Sequence, residues 1–222
     1  MTKHSAILLQ FVAAGAAAAG AGAAGACKTE PPSSETKSEK DEAPKQLAGV
    51  WPKSFECGSI AATAALAPIL GGEVKPTESP MIMPKGVAAP CVYDVLREGT
   101  VEQWQFDFDC RDNYQSQYDK LVEQYRKQNL DMIADWNQKS DAGVFKPNDA
   151  GITYTRPGDP TDVAVGQKGL DHHGQALIFL DDDAPCYVRV AGKDATKRLV
   201  LAQLIAKNLT FQNAPMTPRA PK

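Results

Sequence analysis

No stretch of this chain has both the length and the apolar character of a membrane-spanning helix. Its long uncharged run, Ser5 to Ala26, is mostly alanine and glycine, which contribute little transfer energy. It contains no Leu-, Ile- or Phe-rich segment over the ~20 residues needed to cross a bilayer. Basic clusters are missing too: 24 Lys and Arg are spread among 27 Asp and Glu, for a net charge of −3. That argues against nucleic acid as a partner. The five cysteines include no close Cys-x-x-Cys pair, which argues against a structural zinc site. There is no nucleophile elbow, no phosphate-cradling glycine loop, no Ser/His/Asp arrangement and no internal repeat. The sequence therefore assigns no catalytic residue, metal ligand or cofactor, and the ligand-binding residues are unknown at this level.

What is present begins with an address. Residues 1–26 read as a signal peptide: Lys3 and His4 open it, an uncharged small-residue stretch follows, and Ala24-Gly25-Ala26 offers a cleavage site. Ala24-Gly25-Ala26-Cys27 resembles the bacterial lipobox, with Ala24 where leucine is usual. The resemblance implies cleavage before Cys27 and acylation of its thiol and new amino terminus. Cysteine parity agrees. Setting Cys27 aside leaves Cys57, Cys91, Cys110 and Cys186, an even set that reads as two disulfides in an exported protein. Lys28 stands where an aspartate often retains lipoproteins at the inner membrane, so the resemblance favours the outer membrane in a two-membrane host. Residues 27–49 then read as a lipidated, disordered tether, because five acids, four bases, adjacent Pro31 and Pro32 and no aromatic residue between 28 and 47 cannot bury enough apolar surface to fold.

Residues 50–210 form one α+β domain, and 211–222 a flexible tail. Helices are expected on one face of an antiparallel sheet, in the order α-β-β-α-β-β-β-α. Ser59 can cap a first helix over 59–70 that ends at Gly71-Gly72, with Pro68 kinking or stopping it near Ala67. The stretch 73–90, with four prolines, reads as loop with short extended pieces. Around the two-residue turn Glu98-Gly99, "CVYDVLR" and "TVEQWQFDFDC" make a hairpin in which Cys91 faces Phe106 and Tyr93 faces Trp104. Alternation puts Cys91, Tyr93, Val95, Trp104, Phe106, Phe108 and Cys110 on a core face, and Asp94, Gln103, Gln105, Asp107 and Asp109 on a wet one.

A second helix runs over 113–138, with an Asp112/Gln115 capping box and a possible break at Gln128-Asn129. Residues 139–160 are turn-rich, with "GITYTR" a candidate strand, and "DVAVG", "QALIFL" and "CYVRV" supply the remaining strands. A last helix is capped by Asp194 and buries Val200, Leu201, Leu204, Ile205 and Leu209.

A helix ending in "GGEV", a "CVY" strand, "VAVGQKG", a hairpin and a closing helix together resemble a broad group of small bacterial envelope lipoproteins of unknown function. Their fold is similar to the extracytoplasmic sensor domain of some bacterial Ser/Thr kinases. The likeness covers Cys57 to Leu209. It implies a non-enzymatic sensor-like or binding domain, and it brings no catalytic residues.

Four cysteines allow three connectivities. Cys91 and Cys110 share a face without sitting opposite each other, which disfavours joining them. Cys57–Cys91 would pin the first helix to the hairpin, and Cys110–Cys186 would pin the hairpin to the last strand. Two polar strings invite an alternative. Asp171-His172-His173 matches the name motif of a family of manganese-dependent phosphoesterases, and Asp181-Asp182-Asp183 could offer oxygens to a cation. The other motifs of that family are missing here, so polar turns are the favoured reading of both strings. Trp104, Phe106, Tyr114, Tyr118, Tyr125 and Trp136 could line a cleft between sheet and helix, although their periodicity fits a core better. Asn208-Leu209-Thr210 fits a glycosylation sequon.

The sequence thus points to a lipid-anchored envelope domain that binds a partner protein, cell-wall component or small ligand. A metal-dependent hydrolase and an accessory structural subunit of an envelope complex stand as alternatives.

Overall fold

A computed structural model describes residues 47–79, 81–144, 156–172 and 176–220. The signal peptide, Cys27, most of the tether, most of "GITYTR" and His173 lie outside the described residues. The order is α1 (Thr63–Leu70), β1 (Glu73–Thr77), β2 (Cys91–Arg97), β3 (Thr100–Asp109), α2 (Tyr114–Asp141), β4 (Thr161–Val163), β5 (Lys168–His172), β6 (Ala176–Leu180), β7 (Tyr187–Ala191) and α3 (Ala195–Asn208). All seven strands pair antiparallel in the order β1-β2-β3-β7-β6-β5-β4. The protein is therefore α+β, as its pattern of elements implies.

The β2–β3 register matches expectation at every pair, from Cys91 opposite Phe106 to Arg97 opposite Thr100. Gly99 takes φ 71° in the turn, a conformation that costs glycine nothing. Two meanders meet at one seam, where β3 pairs with β7 from Gln105↔Ala191 to Asp109↔Tyr187. The Cys110–Cys186 disulfide lies immediately beyond that last pair, and Cys57–Cys91 ties a 3₁₀ turn at Cys57–Ser59 to the start of β2.

Alternation along each strand decides which helix covers which face. Leu177 and Phe179 of β6 and Val188 and Val190 of β7 join Trp104, Phe106 and Phe108 in a core closed by Leu66 and Leu70 of α1 and Leu201 and Ile205 of α3. Leu170, Ile178 and Leu180 point the other way and pack against Tyr118 and Tyr125 of α2. The one-face expectation thus holds for α1 and α3, while α2 crosses the opposite face. In β6 every residue is buried, because both of its sides are covered. The hairpin's second face is correspondingly less wet than alternation suggests. Val92 and Asp109 are buried, and Asp107 holds Arg189 at 2.7 Å.

Several boundaries move. The first helix begins at Thr63, and Ser59 instead ends the preceding 3₁₀ turn. It runs through Pro68 to Leu70, because a ring in the last turn of an eight-residue helix disturbs few hydrogen bonds. Gly71 closes it with φ 75°. The second helix is continuous through Gln128 and Asn129, and Asn129 is buried. Its expected capping box does not form: no side chain caps Asn113, and Asp112 pairs with Arg219. Asp194 does cap α3 through the Lys197 N–H, but Val200 is exposed and Arg198 occupies the buried stripe.

Gly192 precedes α3 for a steric reason. A Cβ there would come within 2.3 Å of the Trp104 ring. Residues 211–220 are no loose tail. Ala214 and Met216 are buried, Ala48 and Arg219 exchange backbone hydrogen bonds of 2.8 and 2.9 Å, and the Val50 N–H reaches the Ala214 carbonyl. Among the described residues the packed domain thus includes Ala48, ahead of the expected start at 50.

Candidate binding groove and the polar strings

A groove of about 750 Å³ lies between the entering segment 51–55 and the loop 81–89. Local chemistry builds both walls. Pro52 starts a 3₁₀ turn at Pro52–Ser54 with its ring preset for the conformation, and Trp51 stands just before it, more than half exposed. Phe55 turns inward, edge-on to Phe108 with ring centroids 5.3 Å apart. Such pairs contribute about 0.5–1.5 kcal/mol beyond area burial. Two residues on, Cys57–Cys91 fixes this wall to the sheet.

The opposite wall is "MIMPKG", bent by a turn in which the Val87 N–H donates to the Pro84 carbonyl at 3.1 Å. Gly86 takes φ 85° there. Met81 is half exposed and Ile82 is 99% exposed. Lys53 and Lys85 also line the groove; no carboxylate lines it, and neither lysine makes an ion pair among the described residues. These residues carry no motif in the sequence. An apolar triplet between Pro80 and Pro84, with no periodicity to place it in a core, was the available signal.

The polar strings go elsewhere. Asp171 and His172 are consecutive in β5, so they face opposite sides of the sheet. Asp171 meets Arg198 of α3, with Nε to Oδ1 at 2.9 Å and Nη2 to Oδ2 at 3.1 Å. The same guanidinium donates through Nη1 to the carbonyls of Gly192 and Lys193. Asp171 is thus a structural counter-ion. His172 stacks on Tyr125 of α2, with ring centroids 4.9 Å apart. The Tyr125 hydroxyl accepts from Arg189 Nε at 3.2 Å, and Arg189 reaches Asp107. Burial works against the Arg189 charge, but Tyr125 and Asp107 outweigh it and raise its pKa.

Asp181 uses Oδ1 to accept the Asp183 and Ala184 N–H groups at 3.1 and 2.8 Å, and so shapes the β6–β7 turn. Its Oδ2 is buried without a hydrogen-bond partner. Burial raises its pKa against those two hydrogen bonds. Asp183 accepts the Phe211 N–H, and Asp182 lies at the rim of a shallow hollow with Phe211. Among the described residues, no three His, Cys, Asp or Glu side chains come together in an arrangement that could hold a metal ion. The two strings form no joint site there.

The aromatic set divides as well. Trp104 and Phe106 belong to the α1/α3 core, and Tyr114, Tyr118 and Tyr125 to the α2 side. Burial pushes the Tyr118 phenol up to about 12, and likewise Tyr93, whose hydroxyl donates to the Ala61 carbonyl at 2.8 Å. Between α2 and β4–β5 lies a smaller hollow of about 450 Å³, lined by Tyr118, Arg126, Asp162 and Lys168. Arg126 and Asp162 already pair there at 3.5 Å. Asn208 donates its side-chain amide to the Ile60 carbonyl, so the sequon asparagine serves packing.

The two disulfides fit a location outside the cytoplasm. No helix among the described residues is long and apolar enough to cross a membrane. Comparison of the chain with protein-family models, with curated proteins and with solved structures finds no match.

Proposed function

We propose that this chain is an exported envelope lipoprotein, tethered through acylated Cys27, whose domain binds rather than catalyses. The groove between 51–55 and 81–89 is its binding face. The observation that carries the reading is the groove itself. It leaves Trp51 and Met81 facing water, with Ile82 exposed beside it, and the Cys57–Cys91 disulfide fixes the wall that carries Trp51. Large apolar side chains gathered at the surface mark interaction sites. The sensor-like likeness fits this reading, since such a domain needs a recognition surface and no reactive centre. The hydrolase alternative draws no support from Asp171 and His172, which back onto different helices.

The test is intact mass spectrometry of the protein purified from its native membrane. Acyl mass on an amino-terminal Cys27, with no free thiol before reduction, is expected. Retention of residues before Cys27, or four titratable thiols, overturns the proposal. The hydrolase alternative is checked by melting in the presence of zinc, manganese or calcium, where no rise in Tm is expected.

A further inference from the structure

We infer that the groove is a membrane-docking face, and that its occupant is the anionic surface of the bilayer in which the chain is anchored. The inference deepens the lipoprotein reading above and rests on it for the nearness of a membrane.

Three observations converge. The first is the way the apolar residues are displayed. Ile82, 99% exposed, is flanked by Met81 and Met83 on a loop, with Trp51 beside them across the groove. A wholly exposed isoleucine in a loop suits insertion into a soft interface better than capture of a ligand in a hollow. Tryptophan is the side chain most at home at headgroup level. The second is charge. The chain is acidic overall, yet Lys53 and Lys85 line this groove without a carboxylate and make no ion pair among the described residues. Lysine stems can lie on apolar surface while their ammonium groups reach lipid phosphates. Each lysine near an anionic leaflet strengthens binding by about five-fold. The third is connectivity. The chain enters the domain at Leu47, itself exposed, and reaches Trp51 four residues later. Nineteen residues lie between Cys27 and Leu47. An unstructured chain of that length would span roughly 25 Å. An acylated Cys27 would hold this corner of the domain within reach of headgroups and raise the effective concentration of a weak surface contact. Docking would give a tethered domain a fixed orientation.

The experiment uses the full mature chain with Cys27→Ser, exported so that its disulfides form. It is mixed with vesicles of phosphatidylglycerol and phosphatidylcholine in equal parts, or of phosphatidylcholine alone. Sedimentation with the anionic vesicles is expected, together with quenching of tryptophan emission by brominated acyl chains. Trp51→Phe should remove most of that quenching, because of the other two tryptophans Trp104 is buried in the core and Trp136 is half-buried on α2, outside the groove. Lys53→Gln with Lys85→Gln should weaken binding to the anionic vesicles by about thirty-fold. Ile82→Asp should weaken binding to both kinds of vesicle, and it alters no internal contact, so the fold is kept. No sedimentation with anionic vesicles, or binding unchanged in the Ile82 and lysine variants, overturns the inference. So does a protein crosslinked through position 51 in native membranes when the vesicles do not bind, which would assign the groove to a protein partner. Because the chain carries no lipid, these outcomes are independent of the mass spectrum that tests the anchor.

Discussion

Removing the charge of Asp171 should destabilise this domain more than most single substitutions. Arg198 is fully buried and Asp171 is 5% exposed, so each charge depends on the other for the solvation that water would otherwise give. Breaking such a pair from one side costs about 3–5 kcal/mol, chiefly because the remaining ion is stranded. In a domain of this size each kcal/mol lowers Tm by about 2–4 °C. Asp171→Asn should therefore lower Tm by roughly 10–15 °C at pH 7, followed by circular dichroism on the oxidised protein.

Replacing both partners, as Asp171→Leu with Arg198→Met, should recover much of that loss, since a buried ion pair is often no better than apolar groups of similar volume. Recovery should be incomplete, because Arg198 also satisfies the Gly192 and Lys193 carbonyls. An orphaned buried acceptor costs about 1–3 kcal/mol. A fall of less than about 3 °C for Asp171→Asn would refute the reasoning. A variant that kept its Tm but lost metal-induced stabilisation would return Asp171 to the role of a ligand.

The two crosslinks should differ in worth. Their loops, 34 and 76 residues apart, do not overlap. In the chain-entropy treatment they contribute about 3.8 and about 4.5 kcal/mol. Serine replacement of the Cys110–Cys186 pair should therefore lower the urea midpoint more than replacement of Cys57–Cys91, and the reverse order would count against that account. Asp181 gives a pH test. Its folded-state pKa is raised, so the ionised form burdens the fold at neutral pH, and the burden lifts as pH falls toward the unfolded value near 3.9. Asp181→Asn keeps the Oδ1 acceptor. Its Tm relative to wild type should be highest at pH 7 and should decline toward pH 4, and a difference that grows on acidification contradicts the assignment.

How legible these features are in the sequence depends on how local their causes are. The β2–β3 register follows from Glu98-Gly99 and strict alternation. The start of α3 follows from Asp194. The disulfide pairing that joins helix to hairpin and hairpin to last strand is the one the structure holds. β1 reads as no more than a short extended piece within a loop because Pro76 sits in it, and an edge strand tolerates a proline that a central strand would not. β5 reads as a turn because Asp171 and His172 look wet. Their burial depends on Arg198 and Tyr125, which only the tertiary fold delivers. The placement of α2 on the second face is hidden for the same reason, since a strand buried on both sides has no alternation to report. The groove is hidden because its walls lie some thirty residues apart in the chain.

The β3–β7 seam also shapes how the chain acquires its structure. Until Tyr187 and its neighbours emerge, the first meander ends in a long open edge on β3, the kind of edge that invites pairing with another molecule. Closing it requires a distant segment, which makes this step slow relative to hairpin formation. A chain whose seventh strand has not yet paired is therefore the form most open to pairing with another molecule.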